Sequence, residues 1–153
     1  VSVQSVTGDA TLRHMPGCLA ALWAFSRRTP WLPRARAWWE DTLLMARLVR
    51  RGWVRFVRDA HGTAGFLARD GARIHALYVH PRARGQGLGR ALLEDAKAGA
   101  DRLELWVVHA NASARRFYAA QGFEEVLCSQ GLGNDENLPD VLMVWHRPQG
   151  QMP

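Results

Sequence analysis

In the stretch HPRARGQGLGRALL, His80 to Leu93, three alternating glycines at 85, 87 and 89 stand among arginines and ahead of an apolar helical pattern. Such a segment can hold phosphate in several ways. A Walker loop needs GxxxxGK[ST], and no lysine is present here to reach a terminal phosphate. The dinucleotide fingerprint GxGxxG fails on spacing, because after Gly85 and Gly87 the third glycine stands at 89 rather than 90. It also wants an acidic residue about 20 positions on, at the end of a second strand, and none fits convincingly. Two readings remain open. One is a plain turn without a ligand. In the other, Arg84-Gly85-Gln86-Gly87-Leu88-Gly89 leaves a strand and curls so that successive backbone N–H groups face one concavity at a helix start. Helix starts ordinarily carry Asp or Glu against their unpaired N–H groups and positive dipole end. Here the acids wait until Glu94 and Asp95, while Arg84 and Arg90 flank the entry. A pyrophosphate would supply the missing anion.

The elements that position this loop follow from periodicity. A first strand is expected within Val1 to Val6, then a helix from Pro16 to Phe25 with Leu19, Leu22, Trp23 and Phe25 inward. RRTPWLPR carries two prolines, which force an extended or turning segment. A second helix is expected from Arg34 to Arg51, stopped by Gly52. WVRFVRD, TAGFLAR and ARIHALYVH alternate and are parted by turn residues, as in a β-meander. Beyond the glycines come a helix from Leu88 to Ala100, the strand LELWVV, a helix from Asn111 to Gln121, the strand FEEVLCS, a long loop and the strand VLMVWH. The order predicts an α/β (α+β) single domain over residues 1–148, with a mostly antiparallel sheet and a tail at 149–153.

Bulk properties narrow the function classes. The 153 residues suit one domain with one sizeable core, and 48% hydrophobic with 22% charged residues is ordinary globular composition. No apolar run approaches the roughly 18 residues of a membrane span, and the first residues lack the pattern of a signal peptide. A cytoplasmic location is therefore expected, with no membrane partner. The net charge of +6 would suit nucleic acid, but arginine is spread along the chain and Lys97 is its one lysine, so no nucleic-acid partner is expected. The charge also suits a polyanionic small ligand. Cys18 and Cys128 have no metal-ligand spacing and read as free core thiols, so no metal is expected. Edge strands and seven tryptophans leave room for a homodimer.

Arg84, Gly87 and Gly89, behind the strand LYVHP, resemble the acyl-CoA motif [QR]xxGx[GA] of the GCN5-related N-acetyltransferase (GNAT) family. A second block, LELWVVHANASARRFYAAQGFEEV, resembles that family's strand, helix and strand pattern, with Asn111, Ala114, Phe117, Tyr118, Gly122 and Phe123 as landmarks. TPWLP and NDENLPDVLMVW are similar to segments in a bacterial subset of the family.

The resemblance implies that strands Ile74–Val79 and Leu103–Val108 run parallel and splay into a V-shaped slot. Pantetheine of acetyl-CoA would lie there, bonded to main chain around Leu77, Tyr78 and Val79. Its pyrophosphate would rest on the loop of Arg84, Gly85, Gln86, Gly87, Leu88, Gly89 and Arg90, with Asn111 on the pantetheine arm. The implied reaction is direct attack of an amine, on a small molecule or a protein, upon the thioester. It needs one proton removed from the amine and one given to the leaving thiolate. Tyr118 matches the family's acid; the alternative is a core tyrosine beside Phe117. The strand position where some members carry a base glutamate holds Arg73, and His75, two residues on and so on the same strand face, is the candidate base. The alternative is a hydrogen-bonded structural histidine. Glu104, His80 and His109 read as solvent-facing, turn and strand-end residues. Trp31, Asp135, Glu136 and Asp140 are candidates for the acceptor side. A CoA-binding regulator or catalytically silent member is the alternative function.

Overall fold

The computed structural model describes residues 6–28, 37–130 and 138–148, with 26–28 as backbone only. A short strand β1 (Val6–Asp9) leads into helix α1 (Met15–Arg28) and helix α2 (Trp38–Arg50). The meander follows as β2 (Val54–Asp59), β3 (Gly62–Asp70) and β4 (Arg73–Val79). Helix α3 (Leu88–Ala98), strand β5 (Arg102–Val108), helix α4 (Ala112–Ala120), and strands β6 (Glu124–Ser129) and β7 (Asp140–His146) complete the order. Of the expected first strand, residues 1–5 lie outside the described residues, and the described strand begins at Val6.

The seven strands form one sheet in the order β1-β2-β3-β4-β5-β7-β6. Every neighbouring pair is antiparallel except β4 with β5, which is parallel. Alternation sends Leu103, Leu105 and Val107 of β5 to one face, where they join Leu88, Leu92 and Met143 in the larger core. In α3 the buried Leu88, Leu92, Leu93 and Ala96 recur at helical spacing, and each buried leucine contributes roughly 1.5–3 kcal/mol. A second core holds Cys18, Leu19, Met45, Phe56 and Phe66, with α1 and α2 packed against the meander.

Ties between elements set the helices in place. Arg55 of β2 meets Asp95 of α3 with a two-pronged contact at 2.8 and 2.7 Å, and Asp9 of β1 at 3.0 Å. The Trp23 indole donates to Asp41 at 3.0 Å, linking α1 with α2. One expectation is corrected. Only Cys18 is a core thiol, its pKa pushed up to about 12 by burial, whereas Cys128 is exposed because β6 is the outermost strand. No helix among the described residues is long and apolar enough to cross a membrane.

Candidate active site

The parallel pair is joined only at its beginning. Arg73 of β4 stands opposite Glu104 of β5, and the Glu104 N–H donates to the Ala72 carbonyl at 2.8 Å. No further β4–β5 pair exists in the register, so the strands part beyond this fork. Each remains zipped on its other side. Leu77, Tyr78 and Val79 face Leu67, Phe66 and Gly65 of β3, and Leu105 to Val108 face Met143 to Asp140 of β7. The result is a slot bounded by two strand edges, with Leu77, Tyr78 and Val79 half-buried along one of them.

At the end of β4 the chain is pinned before it turns. The His80 N–H donates to the Ala64 carbonyl at 2.7 Å, and its Nδ1 accepts from the Arg82 N–H at 3.2 Å, so His80 is the expected turn residue. Arg82 then reaches back to the buried Asp59 carboxylate at 2.9 Å and to the Thr63 carbonyl at 3.2 Å. This anchor, which spacing alone did not reveal, takes Arg82 out of the set of arginines available to a ligand. Arg84, Gly85, Gln86, Gly87 and Arg90 are exposed, and Leu88 is buried beneath them. Gly85 and Gly87 have φ of +79° and +78°, a left-handed conformation that side chains disfavour, while the space a Cβ would fill there is open. Gly87 is the N-cap of α3 without any side-chain cap, and the first turn holds no acid. The helix therefore presents bare N–H groups and the positive end of its dipole to an open concavity. An anion fits this cradle.

Across the slot, α4 is started by Asn111, whose side-chain oxygen accepts from the Ala114 N–H at 3.2 Å. Its Phe117 packs so closely on α3 that a Cβ on Gly89 would lie 3.2 Å from the ring. Tyr118 follows at 8% exposure, its ring edge-on to Phe117 and Phe123 at 5.3 and 5.6 Å. Burial pushes its phenol well above the usual value, and the Tyr78 phenol adds to the shift. Tyr118 is thus protonated and neutral throughout the physiological range.

The expectation for His75 meets a different geometry. Ala68 and Arg69 of β3 stand opposite Ala76 and Ile74, so His75 is the extra residue of a β-bulge. Up to the bulge the alternation holds, with Arg73 and His75 exposed on either side of the buried Ile74. Its ring stacks on Trp53 at 5.5 Å, at the start of β2 and so on the side of β4 away from β5. Burial, and then the Arg73 charge, lower its pKa, leaving it neutral at pH 7. Glu104, expected to face solvent, is partly buried at the fork and paired with Arg102 at 3.0 Å. His109 lies in the turn after β5, where its carbonyl accepts from Arg115 at 3.2 Å. Asp140 is buried at the start of β7, opposite Val108. Trp31, Asp135 and Glu136 lie outside the described residues.

A strand pair that forks beside a glycine-lined helix start is the geometry expected of acyl-CoA transferases of the GNAT type, and comparison with known proteins agrees. The family described as "Acetyltransferase (GNAT) domain" matches residues 39–125, more than half of the chain. The chain belongs to the GNAT family. It is 38% identical over 72 residues to the peptidyl-lysine N-acetyltransferase YjaB of Salmonella typhimurium, covering 47% of this chain and 49% of that one. It is 34% identical over 82 residues to the peptidyl-lysine N-acetyltransferase YiaC of Escherichia coli, covering 53% and 55% respectively. The matched region thus spans about half the length of these relatives. The crystal structure of a GNAT-family acetyltransferase from Bacillus cereus shares the fold at TM-score 0.77 and 14% identity, over 95% of this chain and 99% of that one.

Proposed function

We propose that the chain is an acetyl-CoA-dependent N-acetyltransferase that transfers an acetyl group to a primary amine by direct attack. The observation that carries this reading is the fork at Arg73 and Glu104, beyond which β4 and β5 are unpaired while β4 runs on to the uncapped start of α3. The main chain of Leu77, Tyr78 and Val79 would bind the pantetheine arm as a missing strand would. The N–H groups from Gly85 to Gly89 would hold the pyrophosphate, with Arg84 and Arg90 adding charge. The Asn111 side-chain oxygen serves α4, so its amide N–H groups would reach the pantetheine. The bound thioester supplies an electrophilic acetyl carbon. As the amine nitrogen bonds to that carbon and the C–S bond breaks, Tyr118 would protonate the departing sulfur. A phenol is a weaker acid than a thiol and burial raises the Tyr118 pKa further, so the transfer runs uphill and depends on the hydroxyl being placed against the departing sulfur. Because the His75 ring is turned toward Trp53, the amine's proton would reach this neutral imidazole through water rather than directly.

A cytoplasmic reaction fits this donor. A silent CoA-binding member is the second reading, favoured by Arg73 at the glutamate position and by the bulge at His75. Two measurements separate them. Acetyl-CoA at about 100 times its Kd should raise the melting temperature by about 5–10 °C, whereas NAD and ATP should not. An amine panel followed by thiol release should then show turnover. Absence of an acetyl-CoA shift would overturn both readings, and a shift without thiol release would leave the silent member.

A further inference from the structure

Beyond the slot, the sheet face opposite the larger core carries an ordered set of side chains. Trp106 of β5 stands opposite Leu142 of β7, which stands opposite Leu127 of β6. Cross-strand partners share a face, so the three form one apolar row running from the slot to the outer strand. The row is open, with Trp106 39% and Leu127 55% exposed, and none of the three belongs to either core. A bulge at Val126 keeps Leu127 on this face, since Glu124 stands opposite Val144 and Leu127 opposite Leu142. The neighbouring rows are Glu104–Val144–Glu124 on one side and Val108–Asp140–Ser129 on the other. In a chain of net charge +6, this face sets three carboxylates, Glu104, Glu124 and Asp140, against the guanidiniums of Arg102 and Arg73.

We infer that this face is the acceptor site and that it selects a primary amine carried on an apolar or aromatic skeleton. The inference rests on the acetyltransferase reading and narrows its substrate class. Two strand spacings make the row about 10 Å long, the reach of a phenylalkyl or medium-length alkyl chain. The skeleton lies along Trp106, Leu142 and Leu127, and its nitrogen points past Trp106 into the slot. There the ring face and the surrounding carboxylates favour the cationic amine on arrival. A short polyamine would leave the apolar row wet and gains less.

The test is thiol release with acetyl-CoA and four probes: phenethylamine, hexylamine, putrescine and a lysine-containing peptide. Phenethylamine and hexylamine should show kcat/KM at least about tenfold above the other two. Trp106→Ala should raise the KM for phenethylamine about tenfold while leaving the KM for acetyl-CoA within twofold, and Trp106→Phe should restore most of the loss. Leu127→Ser, at an exposed position, should raise it about threefold. A melting-temperature shift by phenethylamine on the CoA-saturated protein reads the same site without turnover. Equal or better use of putrescine or the peptide, an unchanged phenethylamine KM in Trp106→Ala, or no such shift would overturn the inference alone. Failure of acetyl-CoA to stabilise the protein would overturn the transferase reading with it.

Discussion

Tyr118 and His75 show how differently two site residues depend on their surroundings. Tyr118 is fixed by its helix: the cap at Asn111 starts α4, and Phe117 and Phe123 clamp the ring. Tyr118→Phe keeps those ring contacts and deletes only the hydroxyl. It should lower kcat by about 10²-fold, the usual worth of a positioned acid, with little change in acetyl-CoA KM or melting temperature. Steady-state thiol release checks this, and a kcat within twofold of wild type would return Tyr118 to a packing role. Asn111 and Tyr118 were singled out in the sequence as landmarks of the block that resembles the GNAT family, and the helix that carries them follows from its spacing. The stacking of His75 on Trp53 was not legible, because it joins residues on two different strands' ends that only the folded sheet brings together.

At the scale of elements, the start of α3 joins local conformation to ligand binding. Gly87 caps the helix with φ +78°, and a Cβ there would meet no neighbour within 4 Å. Gly87→Ala therefore acts through backbone strain of about 1–2 kcal/mol. Melting should fall by a few degrees, and the acetyl-CoA KM should rise about tenfold as the N–H groups turn out of register. Calorimetry and kinetics on the same variant check both outcomes. The turn into α3 was readable from residue types alone, since alternating glycines supply the left-handed positions found at Gly85 and Gly87. Its anchor was not. Arg82 and Asp59 lie 23 positions apart, and only the folded meander brings them to 2.9 Å.

For the whole molecule, titration predicts two losses of stability on acidification. His14 and His75 are lowered, each first by burial and then by an arginine, Arg13 and Arg73 respectively. A histidine with a depressed folded pKa contributes stability above its unfolded value, lost as pH falls through the folded one. The melting temperature should therefore decline from about pH 6.5 downward, and His75→Asn should flatten that decline. A second loss follows at lower pH. Burial pushes the Asp59 carboxyl up, but hydrogen bonds from the His61 N–H and Arg82 outweigh it and hold it low. Glu125 is held low by Arg115. Both contributions are present above the ordinary carboxylate range and disappear as pH falls through the folded values. Melting curves between pH 3 and 8 would show the two steps, and a flat profile above pH 5 would contradict the histidine assignment.

The sequence by itself determined the element order and the mostly antiparallel sheet, which are written in local periodicity, whereas the parallel pair and the acid candidate followed from the resemblance of its motifs to the GNAT family. The core assignment of Cys128 failed for want of sheet order, since only the final position of β6 outside β7 exposes it. Tertiary structure alone decided where β4 and β5 part, which way His75 turns, and that Trp106, Leu142 and Leu127 form one row. These depend on register between strands distant in the chain. A one-residue shift in register moves every side chain to the opposite face, and nothing in a single strand's pattern records which residue its neighbour will set beside it.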